Sequence, residues 1–301
     1  PTRGIAAGCP CATFFVQAYS LQSLCDFATA RPRTPPTMFI DDLFVGSSAP
    51  TTPQLCTQLS EATSALQTVI QSELKCEIAA HKSTTVGSKP AVQEAITKAL
   101  GGLAGPPSKG AACNLGVGFF SGGLRKHLVN KKTTNQRFAK LRQRAARVKR
   151  LKRAGANTAK LWRTGVQQYG TYGAEVNGLD HKQLFSLQSE YLRYAGARQA
   201  TRSRHLSLLL HGDPTYSVGA GPLLIWSSLI WRAITDSAFA QVVTLTELRA
   251  MMQTVLDRPP AAWKDVRGPP GAAILSARRI SWTFQTPFSL LDHTGRRVVL
   301  P

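Results

Sequence analysis

Apolar residues recur every three or four positions over most of this chain and cluster into short strand-like runs at only a few places. Phe14, Phe15, Ala18, Leu21, Leu24 and Cys25 predict a mostly apolar helix over 13–27. Three prolines over 31–37 break it, and 38–45 then predicts strand, turn, strand. After a second break, Thr52-Pro53 marks a helix start. Leu55, Leu59, Ala62, Leu66, Val69, Ile70 and Leu74 put one apolar face on a helix over 54–75. A strand is predicted over 76–86, a helix over 90–100 closed by Gly101-Gly102, and a glycine-bearing strand over 112–120.

The pattern changes beyond Phe120. Phe138, Leu141, Ala145, Val148 and Leu151 form an apolar stripe at helical spacing, and Lys140, Arg142, Arg144, Arg147, Lys149, Arg150, Lys152 and Arg153 cover the rest of that helix. Further helices are predicted over 158–169, 180–193, 206–210, 223–234 and 244–256. Pro259-Pro260 and Pro269-Pro270 read as linker punctuation, with short strands at 280–284 and 298–300 around the turn His293-Thr294-Gly295. Helices and strands do not alternate regularly, so the expected class is α+β and not a doubly wound sheet.

Charge turns this outline toward a partner. Among 301 residues, Lys plus Arg total 37 against 16 Asp plus Glu, a formal charge of +21. No acid occurs between Glu94 and Glu175. An excess that the chain cannot neutralise itself implies a polyanion, and nucleic acid is the usual one. A basic helix with a buried apolar stripe follows phosphates without reading bases. Trp162, Tyr169 and Tyr172 are able to stack on bases, although core packing is the default for such residues. The six cysteines carry no Cys-x-x-Cys or Cys/His spacing, which argues against zinc and for reduced, intracellular thiols. The apolar stretch 222–231 is too short to span a bilayer, and no membrane role is expected.

One local run carries chemistry. In Met38-Phe39-Ile40-Asp41-Asp42-Leu43-Phe44-Val45, two adjacent carboxylates sit inside an apolar frame. Like charges that close repel, and a divalent cation relieves the conflict. Mg²⁺ or Mn²⁺ takes oxygen ligands, often one or two carboxylates completed by substrate phosphates. The competing reading is a solvated turn, which Asp favours anyway.

Phe39-Ile40-Asp41-Asp42 resembles the catalytic hairpin of reverse transcriptases. Gly4-Ile5-Ala6-Ala7-Gly8-Cys9-Pro10 and the helix after it resemble the loop and helix that precede that hairpin. Lys82-Ser83, Asn114-Leu115-Gly116-Val117 and Tyr172-Gly173-Ala174-Glu175 follow in the family's order. The closest likeness is to polymerases of non-LTR retrotransposons, over roughly 3–178.

That resemblance implies a partial polymerase palm over 1–122, a basic helical thumb over 123–196 and an extension of unknown role over 197–301. It implies an RNA-directed DNA polymerase fragment working by two-metal nucleotidyl transfer in its full-length form, on an RNA template, a DNA primer and deoxynucleoside triphosphates, in the nucleus. Asp41 would hold the metal with Asp42 secondary. Lys82 would donate a proton to the leaving pyrophosphate. Gly4, Gly8 and Gly116 would bring backbone close to template and primer. Lys140, Arg144, Arg147, Lys149, Arg150, Lys152 and Arg153 would meet phosphates. Two departures stand out. Ala7 occupies a position where many relatives carry Gln, and the family's other metal-binding Asp belongs on a strand before Gly4, so the chain as given is expected to be catalytically incomplete. The alternative is a non-catalytic nucleic-acid-binding protein derived from a retroelement. A basic structural protein of ribosomal character would have less core.

Overall fold

Helix dominates the computed structural model, which describes residues 11–39, 42–103, 111–114, 117–120, 126–156, 158–194 and 203–301. The strands form small antiparallel sheets, so the class is α+β as the pattern predicts. The described elements fall into two compact units that divide within 115–125.

In the first unit, α1 (Ala12–Ala30) precedes the hairpin β1 (Pro36–Phe39) and β2 (Asp42–Val45). Helix α2 (Thr52–Thr68) continues as a π-helical turn, Val69–Glu73, and α3 (Pro90–Leu100) packs against α2. The core is Phe27, Ala62, Leu66 and Ile70, with Leu24, Leu43, Val45 and Ile78 packed around it. Only the later part of α1 reaches this core. Phe14, Phe15, Tyr19 and Leu21 stay exposed, because the apolar residues of α1 are spread around the helix and one packing face cannot cover them all.

Two segments depart from the strands their sequence predicts. Residues 76–86 form no strand; they fold back locally, with a 3₁₀ turn at Ala80–Lys82 held by Lys82 N–H to Ala79 O and Ser83 N–H to Ala80 O. Strand propensity is realised only against a pairing partner, and the two alanines and local bonds favour the turn. The single strand expected over 112–120 is a pair, β3 (Ala111–Asn114) and β4 (Val117–Phe120).

The second unit is built on α4 (Lys126–Arg153), 28 residues and about 42 Å long at 1.5 Å per residue. Its inward row is Phe138, Leu141, Ala145 and Val148, all buried, as the 3-4-3 spacing predicts. Leu151 departs from the expected stripe and is exposed, because the row continues at position 152. Against this row pack α5 (Thr158–Leu161), a π-helical turn Trp162–Gln167, α6 (Gln168–Thr171) and α8 (His181–Tyr194), which follows the short α7 (Ala174–Asn177). Trp162 and Tyr191 meet edge-to-face, centroids 5.6 Å apart, within one core. Burial raises the Tyr191 phenol above its ordinary range, with the charge of Arg163 opposing it.

Helix α6 crosses α4 at Gly170, where a Cβ would lie 2.1 Å from Leu141 Cδ1. Gly170→Ala is therefore expected to destabilise the protein. Overpacking costs roughly 1–3 kcal/mol, and the better helix propensity of alanine offsets about 1 kcal/mol of that. The net loss of up to about 2 kcal/mol would appear as a lower urea midpoint at unchanged slope. At Gly178 a side chain is barred twice, by φ of +67° and by Trp263, whose ring atom Cζ3 would sit 1.9 Å from a Cβ.

Helix α9 (Arg204–His211) adds Leu208 to the core around Leu141. The elements after it make a second core. They are α10 (Thr215–Thr235), α11 (Ser237–Val242), α12 (Leu245–Asp257), α13 (Pro269–Arg279) and the antiparallel sheet β5 (Thr283–Thr286), β6 (Ser289–Leu291), β7 (Arg297–Val299). Trp226, Ile230, Leu248, Met252, Ala273, Ile274 and Leu290 fill this core. Pro269-Pro270 does not punctuate a linker: it opens α13, since proline at a first helical position has no intrahelical N–H bond to lose. Helix α10 extends well beyond the apolar stretch 222–231. By length and composition it could cross a bilayer, and its inward residues Trp226 and Ile230 are fully covered by the core. Where Pro222 interrupts its ladder, Ser276 Oγ on α13 donates to Gly219 O. Arg279, at the end of α13, lies 3.9 Å over the Trp263 ring and donates to Leu179 O; burial pulls its pKa down to about 10, with Asp180 opposing the shift.

Candidate functional site

Two regions carry the chemistry expected from the sequence. The first is the β1–β2 hairpin. Its ladder pairs Pro36 with Val45, Thr37 with Phe44, Met38 with Leu43 and Phe39 with Asp42. Alternation along β2 turns Leu43 and Val45 toward the first core and leaves Asp42 and Phe44 on the outer face. The Asp42 side chain is exposed and makes no hydrogen bond or ion pair among the described residues. Asp41, Gly4, Gly8 and Gly116 lie outside the described residues.

The donor chemistry of the hairpin fits a hard divalent cation: an exposed carboxylate, unpartnered within the described residues, next to a second one in sequence. Among the described residues no three His, Cys, Asp or Glu side chains gather as a metal cluster. Lys82, expected on a strand, stands instead on the exposed 3₁₀ turn, and no hydrogen bond links it to Asp42 among the described residues.

The second region is the outer surface of α4. Lys140, Arg144, Arg147, Lys149, Arg150 and Arg153 are exposed, while Lys152 continues the inward row and is half-buried. Lys140, Arg147 and Arg150, at i, i+7 and i+10, share the arc facing away from the core. This cationic face meets one described carboxylate: Arg142 Nε donates to Glu190 Oε1 at 2.9 Å. Glu190 is itself buried, and its Oε2 has no hydrogen-bond partner among the described residues.

Of the aromatic residues singled out in the sequence, Trp162 is core, Tyr169 is half-buried and Tyr172 is exposed. The two tyrosines have a role that local sequence does not signal. Arg144 lies over the Tyr169 ring with its guanidinium carbon 4.0 Å from the centroid, and Arg137 lies over Tyr172 at 5.2 Å while donating to the Tyr172 carbonyl. The faint sequence signal is spacing: two arginines seven apart on one face of α4 meet two tyrosines three apart, Tyr169 on α6 and Tyr172 just past its end.

No protein-family model matches this chain, and neither curated proteins nor solved structures give a significant match.

Proposed function

We propose that this chain is part of an RNA-directed DNA polymerase of retroelement type, with a palm-like first unit and a thumb-like α4. The observation that carries the nucleic-acid side of this reading is α4. Its apolar row is sealed in a core, its outer face is a row of exposed cations, and a single described carboxylate answers them. The polymerase side rests on the ordered motifs around Asp41-Asp42 and on the hairpin register that sets Asp42 beside the turn.

In this reading Asp41 and Asp42 would hold Mg²⁺ or Mn²⁺ together with an Asp from a strand preceding Gly4, and the bound metal would supply charge stabilisation for nucleotidyl transfer. Gly4, Gly8 and Gly116 allow backbone to approach template and primer, Lys82 protonates the departing pyrophosphate, and α4 holds the duplex by its phosphates. The extension after 196 has no assigned role in this scheme.

The test is binding of a labelled RNA template–DNA primer duplex by the full chain across a salt series. Each phosphate neutralised steepens the dependence of log K on log salt by about 0.9. A slope of about 3 or more is expected. A flat dependence would sink the nucleic-acid reading. A non-catalytic nucleic-acid-binding role is the second reading, favoured by the position of Lys82 on an exposed turn. RNA-templated incorporation by the protein extended upstream separates the two.

A further inference from the structure

The arginines of α4 are not equivalent. Arg142 is neutralised by Glu190, and Arg137 is committed to the carbonyl of Tyr172. Arg144 lies over Tyr169, is exposed, and makes no hydrogen bond or ion pair among the described residues. A guanidinium lying over a ring keeps its in-plane N–H groups directed past the ring edge. The stack narrows the rotamers of a long side chain that would otherwise lose that freedom on binding. Tyr169 is itself anchored, because the neighbouring Gly170 lets α6 settle directly on Leu141 of α4.

We propose that Arg144 is a prearranged phosphodiester clamp on α4, with Tyr169 as the positioning residue behind it. This rests on the nucleic-acid reading of α4 and adds that one position on the helix requires arginine and not merely positive charge. A planar fork bonds two phosphate oxygens at once, whereas an ammonium acts as a point charge. The ligand class is a nucleic-acid backbone phosphate, bound without regard to base.

The experiment measures anisotropy of a labelled RNA–DNA duplex with the full chain across a salt series. Arg144→Lys keeps the charge and removes the fork. It is expected to weaken binding by about threefold to tenfold, the net value of one ordinary hydrogen bond, with the salt slope unchanged. Arg144→Gln loses the charge as well and is expected to lower the slope by about 0.9. Tyr169→Leu should reproduce the Arg144→Lys loss with an unchanged slope, and Tyr169→Phe, which keeps the ring, should bind as the parent does. Arg297→Lys on β7 is the control for a generic arginine effect. If the parent binds with a steep slope but Arg144→Lys matches it, the clamp is wrong and the nucleic-acid reading stands. If Tyr169→Leu retains its circular dichroism and full affinity, the positioning role is wrong. If the parent shows no salt-dependent binding, both readings fall.

Discussion

Asp41→Asn, in the protein extended upstream to include the strand carboxylate that the resemblance requires, is expected to lower RNA-templated incorporation by roughly 10²–10⁴-fold. Metal-held charge stabilisation is worth several kcal/mol in the transition state, and about 1.4 kcal/mol corresponds to each factor of ten in rate. The amide keeps the size of the side chain and loses the negative charge that draws a hard cation. Binding of the template–primer duplex is expected to survive, because the cationic face proposed to hold it is on α4 and the substitution is on the hairpin. Asp42→Asn should have the smaller effect. Asp42 is the first ladder residue of β2, paired with Phe39, and its direction is set by the pleat. The measurement is single-turnover incorporation on a primed RNA template with Mg²⁺. Full activity in Asp41→Asn would remove the hairpin from the proposed site.

The combined variant Lys140→Gln, Arg147→Gln and Arg150→Gln is expected to weaken duplex binding by on the order of 10²–10³-fold at 0.1 M salt. Each phosphate contact contributes a factor of roughly [salt] to the power −0.9, about eightfold at that concentration, and three such factors multiply to about 500. The salt slope should fall by about 2.7 for the same reason. Stability should change little: all three side chains are exposed and make no hydrogen bond or ion pair among the described residues. A variant that binds as the parent does, with an unchanged melting profile, would show that the outward arc of α4 does not face the polyanion.

Much of this was legible along the chain because periodicity is a direct image of burial. The stripe Phe138, Leu141, Ala145 and Val148 is buried as its spacing predicts. The hairpin around Asp41-Asp42 pairs where the apolar blocks on either side suggest. The failures share a cause. Residues 76–86 look like a strand only if a partner strand is assumed, and Ala80–Lys82 closes local bonds instead. Pro269-Pro270 reads along the chain as linker punctuation, yet it opens α13, because proline also suits a first helical turn and the burial of 270–277 holds the helix there. The apolar character of α1 signalled a helix but not which of its residues would be covered, and Phe14 and Phe15 are not.

The amino-acid sequence by itself determined the helical periods, the hairpin with its two carboxylates, and a charge excess that no internal acid balances. Those properties depend on neighbours within a few positions, or on composition alone. Tertiary structure alone decided which cations are answered and which are left open. Glu190 reaches Arg142 from 48 positions away, Tyr169 supports Arg144 from 25 positions away, and Lys152 is drawn toward the core by the helical turn that exposes Arg150. Such pairings arise from the way α6 and α8 pack on α4. Contacts between elements are fixed by shape and burial across the whole unit, and local patterns do not encode them.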